Sequence, residues 1–206
     1  MKFETLRENL DIPVFTTREI KIKSLNIFPY QLSFWSRKKK IGQLKKGVYY
    51  LKESRGEIKA EEVASALYAP SYISLETALF DYGFLPDVPQ SLTAVTTKTT
   101  RTFENELGRF IFRHLSPQLF FGYTGVGEKG KKYLLAEPEK AILDYFYLNS
   151  ASLEEEQDLR ELRFDYSEIK QTISIKKLKQ YVKAFQIKKM DRLINIFIKN
   201  VNLGTN

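Results

Sequence analysis

Phe3, Leu6 and Leu10 recur at helical spacing, predicting a first helix over residues 2–10 that Pro13 brings to an end. Thr16 or Thr17 then offers an N-cap for a second helix reaching about Leu25, with Ile20 and Leu25 facing inward. Asn26-Ile27-Phe28 makes a turn, and Pro29 suits the first position of a third helix running to about Lys38, since an N–H is not needed there. On that helix Leu32 and Trp35 or Ser36 share one face, leaving Gln31, Ser33, Arg37 and Lys38 to project from the other. Two short strands follow, 41–44 and 47–51. They are joined through Lys45-Lys46-Gly47, where the glycine permits the positive φ of a tight hairpin turn.

Residues 52–59 (KESRGEIK) are polar and read as a linker. A helix over about 60–67 ends before Pro70, and Ser74 caps another through Tyr82. From Ser91 the period changes to two: SLTAVTT, TRTFEN, GRFIFRHLS, LFFGYTGV and KKYLLA alternate β-branched and aromatic residues between charged or glycine-containing turns. Pro138 opens a strongly apolar helix to about Tyr147, EEEQDL begins an acidic helix, and two basic amphipathic helices occupy 174–201. The expected fold class is α+β. Its parts are an N-terminal winged helix-turn-helix over residues 1–52 and a larger α+β domain over 60–206, with an antiparallel sheet, C-terminal helices and a basic helical tail at 170–206.

Charge sharpens this division. Between Thr17 and Tyr50 nine basic residues face a single acidic one, Glu19, and that excess of +8 equals the formal charge of all 206 residues. Residues 1–50 carry +7, residues 51–169 carry −7 and residues 170–206 carry +8, a basic–acidic–basic layout that implies separate surfaces with separate partners. A phosphate backbone is the commonest partner for so dense a group of cations, because each Lys or Arg near a phosphate releases condensed counterions. Hydrophobic content of 43% supplies real cores and argues against global disorder. No apolar run approaches 18 residues, and the first 20 are charged throughout, so neither a membrane span nor a secretory signal is expected. The absence of cysteine removes disulfides, thiol catalysis and Cys-based zinc sites, and fits a cytoplasmic protein.

Two stretches resemble a known family. TTREIKIKSLNIFPYQLSFWSRKKKIGQLKKGVYYL resembles the N-terminal winged helix of AbiEi-type antitoxins from bacterial abortive-infection (type IV toxin–antitoxin) systems. PSYISLETALFDYGFLPD, then GRFIFRHL, FFGY and AEPEKAILDYFYL, is similar to their C-terminal domain, and together the pieces cover most of residues 14–149. The resemblance implies a DNA-binding repressor of its own operon, acting on operator repeats in its promoter. It also implies antagonism of a nucleotidyltransferase-like toxin without a tight complex. One position departs from the family: a glycine usually ends the recognition helix where this chain has Lys39. A left-handed exit is strained for Lys, so the helix is expected to run on differently before the wing.

The duplex-facing residues expected from these readings are Thr17, Arg18, Tyr30, Gln31, Ser33, Phe34, Arg37, Lys38, Lys39, Lys40, Lys45 and Lys46. Gln31 can pair with adenine edges, Arg37 with guanine or a phosphate, and Ser33 with either, while Lys45 and Lys46 at the hairpin tip would touch the backbone or an adjacent minor groove. The plainer reading of RKKK is a solvated helix end. Trp35 can stack on a base but suits the core of a three-helix unit better. GVGEKGKK at 125–132 contains a G-x-G-x-x-G and nearly a phosphate-binding loop, yet has Lys132 where Ser or Thr would hold magnesium and leads into a strand, so a glycine-rich hairpin is the better reading. His114 in its apolar strand reads as structural. Glu137 and Glu139 are explained by the positive end of the helix that Pro138 opens. Asp144, Glu104 and Glu106 show no convergent geometry. No catalytic site, metal or cofactor is implied. The cationic face of the tail remains open between an extended DNA footprint, an RNA-like target and plain solvation. A protein-binding adaptor and, more weakly, a nucleic-acid-processing enzyme are the rival classes, besides a stand-alone winged-helix regulator without antitoxin activity.

Overall fold

The computed structural model describes residues 1–127, 133–153 and 156–203. The first lobe contains α1 (Phe3–Glu8), β1 (Val14–Thr16), α2 (Thr17–Ile22), α3 (Pro29–Arg37), β2 (Ile41–Lys45) and β3 (Val48–Leu51). β1, unseen in the residue pattern, adds antiparallel to the hairpin to give the order β1-β3-β2. Thr16 rather than Thr17 caps α2. Its hydroxyl accepts the Glu19 N–H at 3.1 Å while the Glu19 carboxylate accepts the Thr16 N–H at 2.6 Å, a reciprocal capping box. The apolar spacing then closes a small core from Phe3, Leu6, Phe15, Ile20, Leu32, Trp35, Ile41 and Leu51. Trp35 lies in it, edge-on to Phe3 with ring centroids 5.5 Å apart.

The exit of α3 corrects an expectation. Lys39 adopts the left-handed conformation (φ +57°) despite its Cβ, with the Lys40 N–H donating to the Trp35 carbonyl at 2.9 Å and the Lys39 N–H to Ser36 at 2.9 Å. The two bonds satisfy helix-end carbonyls in the Schellman pattern, so the helix does not run on.

The second lobe follows with α4 (Ala60–Leu67), β4 (Ser71–Ile73), α5 (Leu75–Asp81), β5 (Leu92–Thr96), β6 (Arg101–Asn105), β7 (Gly108–His114), β8 (Tyr123–Val126), β9 (Tyr133–Ala136) and α6 (Pro138–Leu148). Four more helices complete it: α7 (Glu156–Glu161), α8 (Tyr166–Thr172), α9 (Ile175–Val182) and α10 (Lys188–Leu203). The fold is α+β, but the six-stranded sheet, in the order β6-β7-β5-β4-β9-β8, is mixed rather than antiparallel. β5 runs parallel to β7 and β4 parallel to β9, while β6–β7, β4–β5 and β8–β9 are antiparallel. The reason is topological. The tight β6–β7 hairpin places its returning strand, β7, beside β5, so β6 is left at the edge and β7 shares the direction of β5.

This sheet is covered on both faces, which is why β5 is buried at every position. Tyr72, Val95 and Ala136 face a large core with α5, α6 and the C-terminal helices. Ile73, Leu92, Ala94, Phe110 and Phe112 face α4 and, beyond it, Val14, Leu44, Val48 and Tyr50 of the first lobe. The two lobes therefore share one hydrophobic layer. Residues expected to be a linker form instead a 3-10 helix, Lys52–Glu57, whose Arg55 donates to the Glu106 carbonyl at 2.9 Å. The basic tail buries Leu178, Val182, Phe185, Ile194 and Phe197 in the large core, as its helical spacing requires, and leaves Lys176, Lys179, Lys183, Lys188, Arg192 and Lys199 exposed.

Candidate nucleic-acid interface

Helix α3 begins with Pro29, and its first turn is closed by Gln31: the Phe28 N–H donates to Gln31 Oε1 at 2.9 Å, and Gln31 Nε2 donates to the Met1 carbonyl at 2.7 Å. Its amide is thus engaged within the protein. The Ser33 hydroxyl likewise donates to the Pro29 carbonyl at 3.2 Å. With Leu32 and Trp35 buried, the outward surface of α3 consists of Tyr30, Ser33, Phe34 and Arg37, followed by Lys38, Lys39 and Lys40. Lys38 Nζ lies 5.9 Å from the Phe34 ring centroid. Lys40 turns back toward α1, pairing with Glu4 at 3.3 Å over the Phe3 ring.

The hairpin turn packs on the start of α2, where the Thr17 N–H donates to the Gly47 carbonyl at 2.9 Å. Gly47 has φ +82°, the left-handed conformation for which the turn needs glycine. Arg18, Lys45, Lys46 and, from the second lobe, Lys98 line one groove of about 540 Å³. Thr17 belongs both to this groove and to the one between α2 and α3, so the two depressions meet at the α2 N-terminus.

The two hairpin lysines are not equivalent. Lys46 is exposed, whereas Lys45 is half-buried against the second lobe, where its Nζ donates to the Leu67 carbonyl and lies 5.2 Å from the Phe103 ring centroid. Burial, then the nearby Arg101 and Lys98, push its ammonium pKa down. Lys98 donates to the Ala69 carbonyl at 2.5 Å over the Tyr68 ring, and the Arg101 guanidinium sits 5.0 Å from the Phe103 centroid. These three cations gather around two aromatic rings without a carboxylate partner among the described residues. Nor does any described acidic residue pair with Arg18, Arg37, Lys38, Lys39 or Lys46. Sequence reasoning missed Lys98 and Arg101. The clue was the turn TTKTTR, two cations and no acid between two strands.

Other candidates resolve into local structure. His114 is exposed, and its Nδ1 donates to the Lys98 carbonyl at 2.9 Å, tying the β5–β6 turn to β7. Glu137 accepts the Tyr181 hydroxyl at 2.6 Å. Glu139 accepts the Ser174 N–H at 2.8 Å, and Lys177 bridges both carboxylates, so this pair anchors α9 to α6 as well as meeting the helix dipole. Asp144, for which the residue pattern offered no partner, is fully buried with three: it pairs with Lys140 and accepts the Tyr72 and Ser74 hydroxyls at 2.7 and 2.9 Å. Of the glycine-rich stretch, Gly125 and Val126 end β8, while residues 128–132, including Lys132, lie outside the described residues, as do Glu154 and Glu155 of the acidic helix. Among the described residues no group of three or more His, Asp or Glu is placed to hold a metal ion, and no helix is long and apolar enough to cross a membrane. Compared with known proteins, the chain matches no family model and no curated protein.

Proposed function

We propose that residues 1–52 act as a winged helix-turn-helix that binds double-stranded DNA, with α3 in the major groove and the β2–β3 hairpin beside it as the wing. The observation that carries this reading is the set of exposed cations Arg18, Arg37, Lys38, Lys39 and Lys46 around an outward helix face, none of which pairs with a carboxylate among the described residues. Cations that no described carboxylate pairs with keep their attraction for phosphates, and the one carboxylate in the groove, Glu19, is engaged by the capping box of α2. Within this reading Lys46 contacts the backbone from the wing. Lys45 instead fixes the wing to the second lobe, and Lys98 and Arg101 extend the cationic surface beyond it. Gln31 holds the start of α3 and takes no part in base reading, and Lys40 is neutralised by Glu4.

The biological setting rests on the resemblance to AbiEi-type antitoxins: repression of the chain's own operon by promoter occlusion, and antagonism of a nucleotidyltransferase-like toxin by the second lobe. The DNA reading is tested by fluorescence anisotropy on the promoter upstream of the gene across a salt series. Binding that weakens steeply with salt, and less steeply after Arg37→Glu and Lys46→Glu, is the expected result. An affinity and a slope unchanged by both substitutions would remove α3 and the wing from the interface. Co-expression with the neighbouring reading frame tests the antitoxin role, which fails if the full chain gives no protection from a toxic neighbour.

A further inference from the structure

Of the residues of α3 expected to face the duplex, the two aromatic ones, Tyr30 and Phe34, dominate its outward face. Tyr30 is 69% exposed and Phe34 48%, one helical turn apart on the same face, and Phe28, 57% exposed, stacks on Tyr30 with centroids 5.8 Å apart and ring planes 13° from parallel. Single exposed apolar side chains are ordinary. Tyr30 and Phe34 on α3, with Phe28 stacked at its N-cap, make a contiguous exposed aromatic patch, the kind of feature that marks interaction sites. The two polar side chains that would read base edges from this face, Gln31 and Ser33, are turned to internal partners.

The flanking charge selects the occupant. Arg37, Lys38 and Lys39 follow the ridge, Arg18 and Lys21 stand on the preceding helix, and the single carboxylate between Thr17 and Tyr50 is held by the capping box of α2. The partner must be polyanionic and must also present apolar groups within reach of a helix. In the major groove of duplex DNA the one apolar group is the thymine C5 methyl. We propose that Tyr30 and Phe34 determine specificity by packing against thymine methyls, so that the half-site under α3 is rich in A·T pairs with thymines facing the helix. This rests on the DNA-binding reading above and names the sequence class that reading would select.

Deoxyuridine tests it, since replacing thymine by uracil removes the methyl and leaves every hydrogen-bonding group in place. In the footprinted half-site of the promoter, each thymine is exchanged in turn and binding is measured by anisotropy at fixed salt with the full chain. At the contacted positions affinity is expected to fall about fourfold per methyl, the equivalent of one methyl group returned to water. The same exchange is expected to have no effect on Phe34→Ala or Tyr30→Ala at the position each ring covers, and the salt slope is expected to stay constant. Circular dichroism verifies that these exposed-site variants fold. A fully exchanged half-site bound as tightly as the thymine form overturns the proposal while leaving DNA binding intact, as does an exchange penalty that persists in both variants. A dimer by sedimentation velocity that Tyr30→Ala and Phe34→Ala dissociate overturns it in favour of a second copy on this face. Failure of the unaltered protein to bind any promoter fragment removes the DNA-binding reading itself.

Discussion

Removing the Asp144 carboxylate probes the most heavily constrained polar group in the second lobe. Asp144 and Lys140 have no solvent access, and Lys140 Nζ is enclosed by the rings of Phe121, Tyr72 and Phe185 at 5.1 to 5.5 Å. Among the described residues its one hydrogen-bond partner besides Asp144 is the Tyr72 hydroxyl at 2.8 Å, which itself donates to Asp144. Burial pushes the Lys140 pKa down, and the carboxylate opposes that shift. Asp144→Ala therefore leaves a buried cation without its counter-charge, a change that costs about 3–5 kcal/mol. In a chain of this length each kcal/mol moves the melting temperature by roughly 2–4 °C, so a fall of about 6–20 °C is expected. Lys140→Met combined with Asp144→Leu removes both charges at similar volume. The double variant should recover about half of the loss, leaving about 1–3 kcal/mol from the Tyr72 and Ser74 hydroxyls deprived of their acceptor. Urea denaturation should be followed both by far-ultraviolet circular dichroism and by fluorescence of Trp35, which lies in the other lobe. Because the lobes share a hydrophobic layer, both probes should shift together. A single variant destabilised by less than about 1 kcal/mol, or a double variant as unstable as the single one, would refute the uncompensated-charge argument.

Lys98→Ala and Arg101→Ala should each lower the slope of log affinity against log salt by about 0.9 if each meets one phosphate; unchanged slopes would confine the interface to the first lobe. Lys39→Gly should stabilise the chain by about 1 kcal/mol, because the left-handed exit at φ +57° is free of Cβ strain only for glycine. Calorimetry showing a lower melting temperature would contradict that. Desolvation, and then the Glu61 carboxylate, push the Asp81 pKa from 3.8 up to about 6. Folding therefore favours its protonated form, and the stability it contributes is present below pH 4 and lost as pH rises through 6. Asp81→Asn should flatten stability between pH 4 and 7, and parallel curves for the two proteins would refute the assignment.

Local chemistry made much of the first lobe legible. Pro29, the Leu32–Trp35 spacing and Gly47 locate α3 and the hairpin turn because each acts over a few residues. The helix over 60–67 and the strands after Ser91 were equally clear from their periods. β1 and β4 were not: three residues are too few to show an alternation, and both are defined by partners more than 15 positions away. The direction of β7 relative to β5 has no local cause at all, since it follows from where the hairpin is inserted. At the candidate site the density of cations was legible, but not their division of labour. Lys45 and Lys46 are chemically alike neighbours, and only the fold shows that Lys45, the last residue of β2, turns toward the second lobe while Lys46 in the turn stays exposed. Lys140 and Asp144 stand four apart in an apolar helix, but the residue pattern did not show them as a pair, because their burial depends on Tyr72, 68 positions earlier.

The shared layer has a consequence for how the two halves of the proposed function relate. Val14, Leu44, Val48 and Tyr50 pack with Val63, Leu67, Phe110 and Phe112, and Lys45 and Arg55 add polar ties to Leu67 and Glu106. Swinging the first lobe away would return all of these apolar groups to water, at about 25 cal/mol for each Å² exposed, and would strip Lys45 of its acceptor. The hairpin is therefore held by the second lobe rather than hinged to it, and the Lys98–Arg101 turn keeps a fixed place beside the wing. Lys98 lines the same groove as Arg18 and Lys46, so on the proposed reading a duplex against the wing lies beside that turn. On the proposed reading, DNA occupancy and the exposure of this edge of the second lobe are then linked by geometry alone, without a conformational switch.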